Sequence, residues 1–395
     1  MTKDADQPYE NAFRAMITKD PRIRMYREPG LEFLYRPGQL LVAPRDLDRV
    51  VARLREGRYE VTRGQPFAGV ERLLLGDQVD IPRVVAELRD PRRGKPGERV
   101  PAVQPHHVVI GFGNIMGNPN GGPVTAAGLP DPDPGRLADG AGVTVGVCDT
   151  GIWRDAGACH PAWLGGSYTI QADDDDPLYA HDDVLDLQGG HGTFVAGVLR
   201  QAAPGVRFDP EVACSQAGVG DEESLAAALA GLDPKTAIVN LSLGCFTQDD
   251  IAPMPMVSAL AALGRDVVVV AAAGNAGTSR PAWPAALDQV VAVAAVTETE
   301  AGVAPAGYSN FGPWVDACAP GEHVSTYVKG RWELPGAAPV GFGGFARWAG
   351  TSFAAPYVAG HLATVMTRHG ITADQARLDL LGRPRWHPDY GVLVR

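Results

Sequence analysis

Four mostly apolar segments, each the length of one strand, lie in the C-terminal two thirds of the chain. They span 143–148, 237–243, 266–273 and 289–296, and helical patterns run over 191–200, 224–232 and 255–263. Strands that lack polar alternation are buried on both faces, as in a parallel sheet whose crossover helices cover both sides. The sequence therefore predicts a doubly wound α/β domain over residues 142–395. Its ligands are expected beyond the carboxyl ends of the strands.

A different pattern precedes this domain, in residues 31–112. Strand-like stretches span 31–42, 59–62, 70–75 and 107–110, and helix-like stretches span 47–55 and 81–88. Asp46 and Asp80 precede the two helices and favour helix N-caps. The order β-α-β-β-α-β predicts a small α+β domain of the ferredoxin-like kind.

Two less regular segments complete the domain plan. Residues 1–30 are polar with scattered apolar residues, and we interpret them as a loosely held N-terminal arm. Residues 113–141 are rich in Gly and Pro and show no periodicity, which is typical of a linker. An exposed linker between two domains is also where proteolysis is easiest.

Composition excludes several classes of protein. The net charge of -11 argues against nucleic-acid binding. The sequence contains no apolar run of about 18 residues, so it predicts no membrane span. The charged first residues lack a signal-peptide pattern, which favours a cytoplasmic protein, or a secreted one if a signal precedes this sequence. Five widely spaced cysteines without CxxC pairs support neither a disulfide framework nor a zinc site.

Charge is also unevenly distributed along the chain. The first hundred residues are rich in arginine, whereas the later part is acidic. Either the two parts dock on each other through opposite charges, or each solvates its own surface. The second interpretation is the more common outcome for such patterns.

Four polar residues stand at the predicted ends of helices or strands. Asp149 and Asn275 follow strands, whereas His191 and Ser352 begin helices. A helix N-terminus favours developing negative charge on a serine, and histidine is the natural general base near neutral pH. Each residue alone also fits a structural role, such as a turn aspartate, a helix-capping histidine or a turn asparagine. Together they indicate a serine nucleophile with a base and an orienting acid.

Five motifs surround these residues in the order Asp, His, Asn, Ser. They read VCDTGI, GGHGTFVAG, NLSLG, AAAGN and GTSFAAP, with weaker matches at WPAAL (283–287), YSNFG (308–312) and ACAPG (317–321). With that order of the triad residues, the chain from residue 142 to the end resembles the subtilase family of serine peptidases. The resemblance implies a subtilisin-like fold, a mainly parallel sheet with helices on both faces.

The resemblance also implies a role for each of the four residues in a serine endopeptidase (EC 3.4.21 class). Ser352 would be the nucleophile, with His191 as general base and then general acid. Asp149 would orient the imidazole. Asn275 would bind the oxyanion together with the Ser352 N–H.

Seven further positions match substrate-binding segments of the family. The segment Ser242, Leu243 and Gly244 would pair with an extended substrate by β-augmentation. Ala272, Ala273 and Gly274 would form a wall of the primary specificity pocket, and Ala282 would lie near its floor. Small uncharged walls predict a pocket for a neutral side chain.

Subtilases often carry a ferredoxin-like prodomain that assists folding and then inhibits. The resemblance therefore implies two partners, a peptide or protein substrate and the chain's own N-terminal domain as an intramolecular inhibitor, with self-processing in the linker. The alternative is a latent regulatory or binding protein. Its uncleaved N-terminal domain would keep the site closed until a partner or substrate displaces it.

One acidic run lies between Asp149 and His191. Asp173, Asp174, Asp175 and Asp176 are followed by His181, Asp182, Asp183 and Asp186. Carboxylate oxygens are calcium ligands, but this run lacks alternating ligand spacing, so a solvated acidic loop is the favoured interpretation. We expect neither a metal site nor a cofactor, with calcium as the one candidate.

Overall fold

An amphipathic helix begins the part of the chain that the structure describes. The computed structural model describes residues 7–93, 97–111, 121–171, 173–264 and 266–395. Helix α1 (Gln7–Lys19) buries Tyr9, Phe13 and Ile17, and strand β1 (Arg24–Tyr26) pairs with the next strand. The prediction of a loosely held arm over 1–30 is therefore wrong for these elements. These three apolar side chains are spaced four residues apart and form one buried stripe. The polar residues around them make this stripe hard to recognise in the sequence.

The ferredoxin-like domain follows and has the predicted order of elements. It consists of β2 (Phe33–Val42), α2 (Leu47–Glu56), β3 (Thr62–Arg63), β4 (Glu71–Leu74), α3 (Ile81–Arg89) and β5 (Val103–Gly111). The strands lie in the order β5-β2-β4-β3 and each neighbouring pair is antiparallel. Asp80 caps α3 by accepting a bond from the Arg83 N–H at 3.1 Å. Asp46 makes no cap bond; its buried carboxylate accepts instead from the Ala102 N–H at 2.9 Å.

The linker is more ordered than its composition predicts. Within 121–141 it forms a short strand, β6 (Val124–Thr125), and a 3-10 turn at Pro134–Arg136. Asp139 is buried and accepts bonds from Arg136 at 3.0 Å and from Arg368 at 2.8 Å. The predicted linker residues 113–120 lie outside the described residues.

The C-terminal domain confirms the doubly wound plan. Its elements are β7 (Thr144–Asp149), α4 (Ala156–Cys159), β8 (Tyr179–His181), β9 (Val184–Leu185), α5 (His191–Ala202), β10 (Arg207–Val212), β11 (Val219–Asp221), α6 (Glu222–Gly231), β12 (Thr236–Leu241), β13 (Leu243–Gly244), α7 (Met254–Ala262), β14 (Val268–Ala272), β15 (Val290–Thr299), β16 (Gly302–Pro305), β17 (Ala317–Pro320), β18 (Glu322–Trp332), β19 (Val340–Ala349), α8 (Thr351–His369), α9 (Ala373–Leu381) and β20 (Val392–Leu393). The central sheet runs β10-β7-β12-β14-β15-β17-β20 with parallel neighbours, and β16 pairs antiparallel with β15.

Helices cover both faces of this sheet because its strands are apolar on both sides. Ile238 of β12 faces the core built with α5 and α8, whereas its neighbour Val239 faces the core built with α6 and α7. Successive strand residues point to opposite faces, so one strand serves two cores. Helix α8 lies in the first core, and its first turn emerges at the edge where the strands end.

A second, smaller sheet flanks the central one. Strands β18 and β19 form a long antiparallel hairpin, and β6 of the linker pairs with β19, with Val124 opposite Arg347. Strand β9 pairs with β18 and β8 pairs with β9, which completes the order β6-β19-β18-β9-β8. The linker is thereby fixed to the C-terminal domain. None of the helices in the described ranges is long and apolar enough to cross a membrane.

Helices α5 and α8 approach so closely that Gly360 has no room for a side chain. A Cβ on Gly360 would lie 2.6 Å from the Ala202 Cβ and 2.8 Å from the Leu199 oxygen. We expect Gly360→Val to lower the free energy of unfolding by about 1–3 kcal/mol through overpacking. Guanidinium denaturation in a Ser352→Ala background, which prevents self-digestion, measures this change. Gly341→Val is the matched control, since a Cβ there meets nothing within 4 Å. Equal midpoints for the two variants would contradict the expectation.

Candidate active site

A buried hydrogen bond joins two of the predicted residues at the carboxyl edge of the sheet. Asp149 ends β7, His191 begins α5, and the His191 Nδ1–H donates to Asp149 Oδ1 at 2.7 Å. The same oxygen also accepts from the Thr150 N–H at 2.8 Å. Both acceptor bonds hold the carboxylate in place, so Asp149 fixes the orientation and the tautomer of the imidazole.

The other nitrogen of His191 is available for chemistry. His191 Nε2 is buried and has no hydrogen-bond partner among the described residues. Trp348 packs edge-on against the imidazole with ring centroids 5.2 Å apart, and Phe353 lies 5.4 Å away. With the proton on Nδ1, Nε2 carries a lone pair in a site from which water is excluded, which is the state a general base requires.

Ser352 lies at the N-terminus of α8, as the sequence predicts. It is the second residue of the helix, where backbone N–H groups have no partner within the helix. Its hydroxyl is buried and donates to the Ser242 carbonyl at 3.2 Å. The partial positive charge of the helix terminus favours an oxyanion at this point.

At the start of α8, a side-chain hydroxyl replaces a backbone N–H as the hydrogen-bond donor to one carbonyl. Pro356 stands four residues after Ser352, in the second turn and not in the first, and it has no N–H for the Ser352 carbonyl. The Ser242 hydroxyl donates to that carbonyl at 2.7 Å and replaces the missing amide. Asn240 in turn donates its side-chain amide to the Ser242 oxygen at 3.0 Å. The nucleophile segment is thus tied to the adjacent strand through a side chain 110 residues away.

Asn275 is held with its amide nitrogen toward the start of α8. Its Oδ1 accepts from the Thr351 N–H at 2.9 Å and from the Thr351 hydroxyl at 2.8 Å. With the oxygen engaged in this way, Nδ2 lies 3.1 Å from the position that a Cβ on Gly350 would take. An amide donor fixed beside the N-terminus of α8 is suited to an oxyanion.

Comparison with known proteins agrees with this geometry. The family model described as the subtilase family matches residues 140–378. The chain belongs to the subtilase family.

Individual relatives are between 27% and 33% identical to this chain over the aligned residues. The thermophilic serine proteinase of Bacillus sp. strain AK1 is 33% identical over 242 residues, which are 58% of this chain and 53% of that protein. Thermitase of Thermoactinomyces vulgaris is 27% identical over 256 residues, covering 61% of this chain and 80% of that protein. The match thus spans about half the length of the first of these relatives.

One solved structure resembles almost the whole chain. Fervidolysin from Fervidobacterium pennivorans, described as a keratinolytic enzyme related to subtilisin, aligns with a TM-score of 0.62 at 20% identity. The alignment covers 94% of this chain and 61% of that one. At this identity the likeness concerns the fold alone, and it extends over both domains.

In this subtilase the predicted substrate edge is paired with a strand of the same chain. Leu243 and Gly244 lie opposite Gly111 and Ile110 of β5, and the arrangement is antiparallel. On the other side of β5, Val219, Gly220 and Asp221 pair with Ile110, Val109 and Val108. The end of β5 therefore lies between two edge strands of the C-terminal domain. This is the geometry by which an extended peptide adds to a sheet.

The predicted pocket residues divide between two cores. Ala272 and Ala282 are buried in the core that includes Phe353, whereas the Ala273 side chain packs in a separate core with Val315 and Tyr390. The Ala273 side chain faces away from Ala272, because successive residues leaving a strand face opposite ways, and the pocket wall over Ala272, Ala273 and Gly274 stays a prediction. Gly274, with φ of 101°, turns the chain toward Asn275.

One residue of the acidic run, Asp176, contributes to this site. Asp176 is buried and accepts from the Thr150 hydroxyl and the Gly190 N–H, both at 2.8 Å, and from the Leu178 N–H at 3.0 Å. Burial raises the pKa of Asp176 to about 7, against the effect of these donors. Asp176 thus links the residue after Asp149 to the residue before His191, and a solvated loop describes only its exposed neighbours. Across the described ranges no group of three or more His, Cys, Asp or Glu side chains is arranged to hold a metal ion.

The two domains dock through opposite charges. Arg36 pairs with Asp221 at 2.8 Å, Arg89 pairs with Asp249 at 2.9 Å, and Arg72 pairs with Glu223. The preferred interpretation, that each part solvates its own surface, is wrong for these residues. Arginine guanidinium groups of the N-terminal domain, which are largely buried, reach carboxylates of the C-terminal domain, of which Asp249 and Glu223 remain exposed.

A buried polar cluster lies at the centre of this interface. The His107 Nδ1–H donates to Glu222 Oε1 at 3.0 Å, and Gln104 donates to the same oxygen at 2.8 Å. The Gln248 N–H donates to His107 Nε2 at 3.3 Å, so the imidazole is neutral. Burial lowers the pKa of His107 to about 3 and raises the pKa of Glu222 to about 8.

Sequence motifs pointed to the triad but not to the residues that support it. Ser242 was predicted to bind substrate through its backbone, whereas its hydroxyl also serves the Ser352 carbonyl. Gln188 and Asp176 were missed as neighbours of His191. A buried aspartate followed two residues later by a leucine whose N–H it accepts is a local turn pattern that could have identified Asp176.

The exchange of donors at Ser352 can be tested with a double-mutant cycle. Ser242→Ala leaves the Ser352 carbonyl buried without a donor and is expected to cost about 1–3 kcal/mol of unfolding free energy. Pro356→Ala returns an N–H at the position that α8 lacks, so Ser242→Ala should cost less in that background. Denaturation of the four combinations, all carrying Ser352→Ala, measures the coupling. Additive costs would show that the hydroxyl does not replace the helical donor.

Proposed function

We propose that this subtilase is a serine endopeptidase that forms an acyl-enzyme on Ser352. The observation that carries the proposal is the Asp149–His191 bond at 2.7 Å, which leaves a buried Nε2 lone pair near the first turn of α8, where Ser352 is the second residue. Transfer of the Ser352 proton to Nε2 frees Oγ to attack a peptide carbonyl, and Asp149 stabilises the resulting imidazolium. His191 then returns the proton to the leaving amine. Water attacks the ester by the reverse sequence.

The oxyanion would be stabilised by two donors of different kinds. The Ser352 N–H belongs to the first turn of α8, and Asn275 offers Nδ2 from the neighbouring loop. Because Thr351 holds the Asn275 oxygen with two bonds, the amide cannot turn its oxygen toward the negative charge without breaking both. Fixed donors of this kind stabilise the transition state without reorganisation.

The present position of the Ser352 hydroxyl fits a resting state. It donates to the Ser242 carbonyl at 3.2 Å, a long bond for a hydroxyl donor. Rotation about χ1 would exchange this bond for one to His191 Nε2. Hydrogen bonds of catalytic groups are often long before substrate binds.

The substrate class that this site supports is an extended peptide with a small or neutral side chain in the primary pocket. Ser242, Leu243 and Gly244 supply one edge strand, and Val219, Gly220 and Asp221 supply the other. The buried alanines Ala272 and Ala282 bring no charge to the pocket. Specificity on the two edges then depends on main-chain pairing and on the alternate side chains of the peptide.

We further propose that the N-terminal domain inhibits this activity within the same chain. Strand β5 occupies the place of a bound peptide, and Asp149, His191, Asn275 and Ser352 are all buried. The linker that follows β5 is the proposed site of self-processing. The alternative of a latent binding protein without peptidase activity is less well supported, because the triad bond and both oxyanion donors are present.

A serine-directed fluorophosphonate tests the chemistry. We expect the probe to add to Ser352 Oγ with loss of fluoride, because His191 Nε2 accepts the hydroxyl proton. Ser352→Ala should abolish labelling, and His191→Ala should slow it by at least about 10³-fold. Intact mass and peptide mapping measure the labelled residue. Ser258→Ala, at an exposed serine, is the control and should be labelled like the parent chain. Labelling that persists in Ser352→Ala would refute the assignment of the nucleophile.

The buried His107–Glu222 pair makes docking of the N-terminal domain depend on pH. Once undocked, both side chains return toward ordinary pKa values of 6.5 and 4.5, so above pH 6.5 the pair holds no proton. The docked pair keeps one proton on Glu222 until about pH 8. Docking therefore takes up a proton in this window. Its equilibrium constant should fall by up to about tenfold per pH unit as pH rises from 6.5 to 8.

Amide protection factors for Val108 to Gly111 measure this dependence in a Ser352→Ala background, where no catalytic step interferes. Glu222→Gln retains the acceptor for His107 but cannot take up the proton, so its protection should not change with pH above 6.5. A slope in Glu222→Gln equal to that of the parent would show that other groups control docking. Asp221, His106, Arg89 and Arg280 are the other titratable or charged groups that face the pair.

A further inference from the structure

Helix α1 lies across the cleft that β5 occupies. One cavity, of about 190 Å³, is lined by Pro8 and Tyr9 of α1 together with Gly122 and Trp348. Another, of about 670 Å³, is lined by Arg14 and Thr18 of α1 together with Ala276 and Arg280. The helix has 13 residues, about 20 Å in length. It therefore extends from the linker side of the catalytic centre to the loop that carries Asn275.

The buried face of α1 belongs to the same core as the strand in the cleft. Tyr9, Phe13 and Ile17 share a continuous core with Val108 and Ile110 of β5. Val109, between the two, packs in the core on the opposite side. Alternate residues of a strand face opposite ways, so β5 has apolar partners on both of its faces. A peptide in an open cleft would expose the face that Val108 and Ile110 present.

Tyr9 connects α1 to the segment before His191 on one side of its ring and to Trp332 of β18 on the other. Its hydroxyl donates to the Leu187 carbonyl at 3.4 Å and also hydrogen-bonds with the Gln188 side chain. Gln188 donates to the Gly111 carbonyl at 3.4 Å, at the end of β5. On the other side, the Tyr9 ring packs on Trp332 with centroids 5.2 Å apart.

The chain fits closely against both residues that Tyr9 contacts. A Cβ on Gly111 would lie 2.2 Å from Gln188 Oε1, and a Cβ on Gly122 would overlap the Trp332 ring at 1.5 Å. Neither glycine needs a positive φ, so the requirement at both positions is space. Gly111 at the end of β5 and Gly122 of the linker are therefore packed against two side chains that Tyr9 contacts.

We propose that α1 is a clamp, an inhibitory element additional to the ferredoxin-like domain, which holds Gly111 at the end of β5 and Gly122 of the linker in place. This inference rests on the proposed function only in taking β5 as the occupant of the substrate cleft. Without α1, the main-chain pairing of β5 would remain, but Gln188, Trp332 and the outer face of β5 would lose their common support. The clamp sets how often the cleft opens.

The test compares variants of the full chain carrying Ser352→Ala, so that no self-cleavage occurs. Phe13→Ala removes the central apolar contact of α1, and Tyr9→Phe removes only the hydroxyl. Lys19→Ala, at an exposed position of the same helix, is the matched control. The readout is the rate at which added thermolysin cuts between residues 108 and 125, with the cut positions identified by intact mass. Far-UV circular dichroism and the thermal midpoint report folding.

We expect Phe13→Ala to be cut at least about tenfold faster than Lys19→Ala, with Tyr9→Phe between them. A loss of about 1.4 kcal/mol in the stability of the closed state raises the population of the open state tenfold. A lower thermal midpoint with an unchanged cutting rate would overturn the clamp and leave α1 a stabilising helix only. In the chain that retains Ser352, Phe13→Ala should raise the rate of fluorophosphonate labelling to a similar extent. Faster cutting without any labelling would support the clamp and count against the peptidase chemistry, so the two failures are distinct.

Discussion

The main-chain pairing of β5 is the interaction on which the rest of this structure depends. Its first half completes the sheet of the ferredoxin-like domain beside β2, and its second half lies between β11 and β13 of the subtilase domain. One strand thus satisfies backbone groups in two domains. An edge strand presents unpaired N–H and C=O groups that will accept any extended chain. Here the chain itself fills that position, and the ion pairs and buried polar cluster around it fix the register.

The catalytic groups are arranged so that this occupation does not disturb them. Asp149 and Asn275 are each held by backbone or threonine donors of the C-terminal domain, and Asp176 ties the segment before His191 to Thr150. These bonds are independent of the N-terminal domain. Under the proposed function, the site is therefore built in a reactive arrangement and controlled by access. In this proposal the chemistry depends on short buried hydrogen bonds within the C-terminal domain. Regulation depends on the N-terminal domain, which can undock.

Parts of the structure followed directly from the sequence, and others could not. Apolar runs predicted the parallel strands, because a strand that is buried on both faces has apolar residues at successive positions and lacks polar alternation. The motifs around Asp149 and His191 predicted their meeting, since both stand at the carboxyl edge of one sheet. Helix α1 was missed because Glu10, Asn11 and Arg14 interrupt its apolar residues, and only another domain can bury them. The Ser242 hydroxyl bond was equally hidden, because the need for it arises from Pro356 in a distant helix.

The continuity of β5 with the linker has a consequence for what a single cut would achieve. While the linker is intact, β5, the proposed inhibiting strand, faces the cleft at the effective concentration of a short tether, of the order of millimolar. After cleavage, the same contacts would hold two separate folded chains together in a bimolecular complex. The buried interface between them would be unchanged. Release would then depend on dilution and on destruction of the freed domain. Cleaved molecules would therefore remain inhibited at high protein concentration and become active on dilution.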